Sequence, residues 1–230
     1  MGKRGPSSAL IAGAAVAALL LLASRDAFAA SDAGAGESPD YPPPPPPDGF
    51  LTGDDSSHVE GADLNSQLAA FLYMIRNAEH APAAVRTGRD YGTFYGGGAF
   101  RDFSDHPVLT GELKGVPLSD SMCRAAGFGP GCVSTAAGAY QIIKPTWQRV
   151  RAAGSWGPYL ADFSPASQDE AARRLLIECG ALRQLDAGNV SAAILKAGKL
   201  WASLPGSTAN QNPKSMDTAL AYFLNGGGVA

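Results

Sequence analysis

The sequence predicts an α+β domain in which a mostly helical body carries a small β-hairpin lobe, with a cleft between the two. Three observations lead there. Residues Asp63 to His80, DLNSQLAAFLYMIRNAEH, place apolar side chains at helical spacing. Tyr91 to Phe103, YGTFYGGGAFRDF, sets two short aromatic segments around Gly96, Gly97 and Gly98, the composition of a hairpin. From Pro145 onward, helix-starting and helix-ending residues recur to the end of the chain.

The first helix has one residue out of place. At about 100° per residue, with Leu68 at zero, Phe71 falls near 300°, Leu72 near 40° and Ile75 near 340°, forming an apolar stripe. Glu79 lands at about 20° on the same projection, inside that stripe, at the helix end before Pro82. Burial raises a carboxyl pKa because the charged form loses its hydration, and the negative end of the helix dipole acts in the same direction. A glutamate protonated near neutral pH can serve as a general acid. A charged His80 would oppose that shift. Taken alone, the position better suits a helix-end glutamate that turns to water or pairs with Arg76.

At the end of the hairpin, Asp102, Ser104, Asp105 and His106 are residues that can close a turn through their side chains. His106 to Thr135 follows, with Pro107, Pro117, Pro130 and many glycines. It is long for a loop, which predicts a functional or disulfide-pinned excursion. Cys123 and Cys132 flank RAAGFGPG, a segment able to bring its ends together, so these two are the expected disulfide. Cys179, in RLLIECGAL, reads as a buried thiol in a helix.

Pro145 suits the first turn of a helix carrying Trp147 and Val150. Ser164 is the expected N-cap of the next, with Asp169 and Glu170 near its positive end and Leu175 and Leu176 inward. Asn189 is expected to cap Val190 to Leu200, and Asn212 with Pro213 the last helix through Leu224, which Gly226 to Gly228 end. Trp147 and Trp201 read as packing residues.

The 230 residues leave room for one medium domain, residues 62–225, plus tails. Residues 1–29 read as a signal peptide: Lys3 and Arg4, an apolar run from Ala9 to Ala23, then Ala27-Phe28-Ala29 as a cleavage signature. That run is short for a membrane span of roughly 20 residues, so no stable span is expected after processing, and the chain is expected in the periplasm or secreted. Residues 30–61 read as a disordered linker, with six consecutive prolines from Pro42 to Pro47 favouring polyproline II. Residues 226–230 read as a flexible tail. Removing residues 1–29 deletes Lys3, Arg4, Arg25 and Asp26, leaving 15 basic and 20 acidic residues, net −5. That balance excludes nucleic acid as a partner. Histidine and cysteine spacings match no zinc site, so no metal or cofactor is expected, and the expected state is a monomer.

Five blocks occur in order: FLYMIRNAE, YGGGAFRDFSDHP, STAAGAYQ, DFSPASQD and WASLPGS. Together they resemble the lambda-endolysin type of lytic transglycosylase, a family with a lysozyme-like fold that cuts the glycan strand of peptidoglycan. The likeness runs from roughly Leu68 to Leu224. It implies that Glu79 is the single catalytic acid, protonating the oxygen between N-acetylmuramic acid and N-acetylglucosamine. As a carboxylate, Glu79 would then take the proton from the muramic C6 hydroxyl, which closes onto C1 as a 1,6-anhydro ring. Water is not the nucleophile, so one carboxylate suffices where standard glycoside hydrolysis uses two. The resemblance also places Tyr140, Gln141, Ser134 and Thr135 on the cleft floor, and Asp102, Ser104, Asp105 and His106 beside the saccharide. Read from the residues, Tyr140 also fits a core position behind a turn at Gly138. DFSPASQD and WASLPGS read as a helix start and a helix-ending turn. Two departures stand out: His80-Ala81 replaces the family's small residue and threonine, and Ala209 stands beyond WASLPG where an aromatic residue is familiar; the Cys123 to Cys132 segment also looks inserted.

Two other functions remain open on the sequence. A hydrolytic lysozyme of the phage-T4 type needs a second carboxylate and a threonine, for which Asp90 and Thr93 are candidates. A secreted wall-binding module could keep the fold and lack the chemistry.

Overall fold

The computed structural model describes residues 64–208 and 212–230. The expected signal peptide and linker lie outside the described residues. Helix α1 (Leu64–Glu79) runs through the centre of the hydrophobic core. Ala70, Phe71, Met74, Ile75 and Ala78 are essentially inaccessible, whereas Leu68 and Leu72 are only partly buried. The buried face is therefore rotated from the line through Leu68 and Leu72. Ala78, about 100° round the helix from Glu79, sits fully inside it, and Glu79 lies at its margin.

Short elements follow α1. Helix α2 (Pro82–Arg86) starts on a proline, whose missing N–H is not needed there. Strands β1 (Thr93–Phe94) and β2 (Gly98–Ala99) pair antiparallel, Thr93 opposite Ala99 and Phe94 opposite Gly98. The hairpin is thus present but minimal, because Gly96 and Gly97 adopt positive φ and turn the chain at once. On its other edge β1 meets a tight turn, with a bridge from Phe94 to Ala137. There Tyr95 N–H donates to Ala136 O (2.9 Å) and Gly138 N–H to Thr93 O (2.8 Å).

Residues 106–135 are more ordered than a loop. They form α3 (Pro107–Thr110), β3 (Val116–Pro117), α4 (Asp120–Ala125) and β4 (Val133–Ser134), and β3 pairs antiparallel with β4. Local capping explains this order: Ser119 Oγ accepts from Met122 N–H at the start of α4, and Cys123 is disulfide-bonded to Cys132.

The helical body comprises α5 (Lys144–Val150), α6 (Pro165–Glu178), α7 (Ala181–Asp186), α8 (Val190–Ala197) and α9 (Met216–Asn225). Ser164 caps α6 by accepting from Ser167 N–H. Two expected caps differ. Asn189 makes no side-chain cap bond, and α8 stops at Ala197 rather than Leu200. The last helix is capped by Ser215, which accepts from Thr218 N–H, not by Asn212. The proline-containing approach delays the helix until a hydroxyl reaches a free N–H. Helix α9 lies against α1, where a Cβ on Gly226 would come within 3.0 Å of Ala70 Cα. Residues 226–230, read as a flexible tail, fold back: Gly228 N–H reaches Phe223 O (3.1 Å) and Val229 N–H reaches Gln67 Oε1 (3.2 Å).

Buried Arg174 in α6 ties the body together. Its guanidinium donates to the carbonyls of Val150 (2.9 Å), Ala152 (3.1 Å) and Pro158 (2.6 Å) and to Glu170 (2.9 Å). The charge is fully satisfied, which is what permits its burial.

Candidate active site

Glu79 ends α1 and is 5 % exposed. Its Oε1 accepts a hydrogen bond from Ser203 Oγ, and its buried Oε2 has no partner among the described residues. Burial drives its pKa up to about 7, against opposing pulls from the Ser203 hydrogen bond and the positive charge of Lys214. At neutral pH a large fraction of the molecules therefore carry the acid in its protonated form. A proton on Oε2 fits the bonding, since Oε1 is already an acceptor.

The turn that brings Ser203 to Glu79 follows α8. Gly198 is required at its base, because a Cβ there would lie 2.0 Å from Pro205 O. Leu204 N–H closes on Trp201 O (3.0 Å), and Lys214 N–H donates to Ser203 O (2.8 Å). Trp201, buried, donates its indole N–H to Tyr140 O (3.0 Å). The turn that meets Glu79 is thereby tied to a second turn, which meets the end of α1 at His80.

The second turn spans residues 137–142, closed by Ala137 N–H to Ile142 O (3.1 Å) and Ile142 N–H to Ala137 O (2.9 Å). Gly138 has φ 75°, and a Cβ on it would lie 2.1 Å from Gln168 Oε1. Gln168, fully buried, accepts from Ala139 N–H (2.9 Å) and donates to Tyr91 O (3.1 Å) and Phe163 O (2.9 Å). Gln141 has φ 48°, the one non-glycine positive φ among the described residues, and its side chain donates to Gly138 O (3.0 Å). His80 places Nε2 3.1 Å from the same carbonyl. Burial pushes the His80 pKa down, which favours the neutral ring; the positive charge acting on Glu79 is that of Lys214.

The other residues singled out in the sequence fall into three groups. Tyr140 is 1 % exposed and donates to Asp169 Oδ1 (2.6 Å), an oxygen that also accepts from Tyr91 (2.8 Å). This is the core position, with the hydroxyl spent internally. Ser134 is buried and accepts from Ala136 N–H, while Thr135 Oγ1 accepts from Lys144 N–H (3.0 Å), so both brace the turn. At the hairpin end, Asp102 and Ser104 are exposed and joined by Ser104 N–H to Asp102 Oδ1 (2.9 Å). Asp105 accepts from Trp147 Nε1 (2.8 Å) and pairs with Arg151 (2.6 Å). His106, fully buried, accepts from Val108 N–H at Nδ1 (3.3 Å), faces Ile142 O from Nε2 (3.1 Å), and has its pKa lowered by burial to about 4. Asp105 and His106 thus fasten the hairpin end to the body.

Arg76 does not pair with Glu79. It clamps Asp90 with Nε (2.6 Å) and Nη2 (3.0 Å), and Asp90 is fully buried. Ser203 and Lys214 were not among the sequence-derived site residues. The signal for Ser203 was the WASLPGS block, which reads locally as nothing more than the end of a helix. Among the described residues no cluster of three acidic, histidine or cysteine side chains could hold a metal ion. No described helix is long and apolar enough to cross a membrane.

The sequence model of the endolysin family matches residues 69–230. The chain is 34 % identical over 169 residues to the endolysin of Escherichia phage lambda, covering 73 % of this chain and 95 % of that protein. It is 33 % identical over 171 residues to the endolysin of Escherichia phage P2, covering 72 % and 95 %. A solved structure of bacteriophage lambda lysozyme complexed with a chitohexasaccharide superposes with TM-score 0.58 at 34 % identity, covering 74 % of this chain and 99 % of that one. The fold is thus lysozyme-like, and with its buried acid it defines a glycosidase of the peptidoglycan-degrading class. The chain belongs to the endolysin family.

Proposed function

We propose that this endolysin is a lytic transglycosylase, cleaving the bond between N-acetylmuramic acid and N-acetylglucosamine with formation of a 1,6-anhydro-muramic end. Glu79 is the sole acid and then the base. The observation that carries the reading is the state of the two carboxyl groups a hydrolase would need. Glu79 is buried with a pKa near 7, suited to giving and retaking a proton at neutral pH. Asp90, the candidate second carboxylate, is sealed from solvent in a bidentate pair with Arg76. Thr93 Oγ1 donates to Arg89 O (3.1 Å), so the partner of that alternative is also engaged.

In the first step Oε2–H of Glu79 transfers its proton to the glycosidic oxygen as the C1–O bond breaks, and positive charge develops at C1. In the second, the Glu79 carboxylate takes the C6 hydroxyl proton while C6–O closes onto C1. The acid is regenerated and no water is consumed. A long glycan as ligand accords with the chitohexasaccharide bound to the lambda lysozyme. Export by residues 1–29, with 30–61 as a spacer ahead of the catalytic domain, belongs to the same reading. Mass spectrometry of digested sacculi tests it: anhydro-muramic ends are expected, and free reducing ends from a pure preparation would overturn it. Glu79→Gln is expected to abolish lysis while still binding sacculi, which a purely wall-binding module would not show.

A further inference from the structure

We propose that Ser203 is the positioning residue of this site: its hydroxyl occupies Oε1 of Glu79, places the transferable proton on Oε2, and holds the carboxylate between the acid and base steps. The inference rests on Glu79 being the proton donor, and it assigns a role to a residue 124 positions away in the chain.

The geometry around Ser203 is built for one orientation. Its carbonyl is fixed by Lys214 N–H, its turn is closed through Leu204 N–H and Trp201 O, and Trp201 is anchored to the Tyr140 carbonyl. At the base of the turn Gly198 packs so close to Pro205 that a Cβ there would lie 2.0 Å from Pro205 O. A hydroxyl so held must donate to Oε1 when Glu79 is a carboxylate, because an ionised carboxylate only accepts. When Glu79 is protonated, the same donation makes Oε1 the carbonyl-like oxygen and leaves the proton to Oε2. That choice matters for a residue serving as both acid and base, because the proton must leave from and return to an atom within reach of two different substrate oxygens. Lys214, carried at the end of the same segment, acts in the same sense by favouring the ionised form.

Ser203→Ala and Ser203→Thr distinguish this role from packing. Loss of one hydrogen bond to a charged group predicts a fall in kcat of roughly tenfold to a hundredfold in Ser203→Ala, with KM nearly unchanged. The limb of the pH–rate profile that reports Glu79 moves to higher pH, because a contact favouring the carboxylate is gone. Ser203→Thr, which keeps the hydroxyl, restores both. Carbon-13 NMR titration of the Glu79 carboxyl in the unliganded protein reads the same shift without turnover. A wild-type profile and titration in Ser203→Ala overturn the proposal, as does a loss of kcat that Ser203→Thr fails to restore while the Glu79 titration stays put. If the products carry free reducing ends but the titration still shifts, the transglycosylase reading fails and the positioning role stands.

Discussion

Replacing Glu79 by glutamine should make the protein more stable, by an amount that grows as pH rises from about 4.5 to about 7. In the folded chain the Glu79 carboxyl has its pKa raised from 4.5 to about 7 by burial. The folded state therefore holds a proton that the unfolded state has released between these two values. Wild-type stability must fall as pH rises through that window and level off above about 7. At about 1.4 kcal/mol per pH unit, the loss amounts to about 3 kcal/mol. Glutamine keeps the oxygen that Ser203 bonds but never ionises. The variant and wild type should thus be close at pH 4 and diverge steadily to pH 7, by roughly 6–12 °C in Tm for a domain of this size. Thermal denaturation followed by circular dichroism at unit pH steps from 4 to 8 measures the divergence. Other titrating groups cancel in the difference. A gap independent of pH would refute the claim that Glu79 is held protonated by the fold, whatever its effect on lysis.

Two further predictions concern buried groups other than Glu79. Asp90→Asn breaks a buried bidentate pair and leaves Arg76 without its carboxylate, so urea denaturation should show a loss of about 3 kcal/mol. The folded fraction should still release anhydro-muramic products; retained stability with lost activity would instead restore Asp90 to the mechanism. His106 has its pKa lowered by burial to about 4 from 6.5, so its neutral form contributes stability that is complete above 6.5 and lost as pH falls toward 4. Proton NMR should find its ring neutral at pH 5.5, and a midpoint near 6.5 would contradict the buried, doubly bonded imidazole.

Much of the architecture was legible because it is local. The spacing of Phe71, Ile75 and Glu79 predicts the helix and its odd carboxylate, and Ser164 before Pro165 predicts the start of α6, since both are decided within a turn or two of chain. Where caps were misplaced, at Asn189 and Asn212, several polar residues competed within a few positions and the final packing chose among them. Hairpin-end residues were readable as turn-formers, but not that Asp105 would pair with Arg151 and bond Trp147.

By itself the sequence determined the family, the first helix, and the carboxylate placed within its apolar stripe. Five ordered blocks and one periodicity are enough for these, because each is a pattern of neighbouring residues. Only the tertiary structure decided the surroundings of that carboxylate. Glu79 sits, buried, at the margin of the apolar face of α1, and the hydrogen bond it accepts comes from Ser203, 124 residues away. Arg76 could have paired with Glu79 one turn away and instead binds Asp90. His80, adjacent in sequence, turns to Gly138 O, while Lys214, remote in sequence, supplies the charge that Glu79 feels. Desolvation and hydrogen-bond pairing are properties of contacts between distant segments, and proton affinity follows from those contacts.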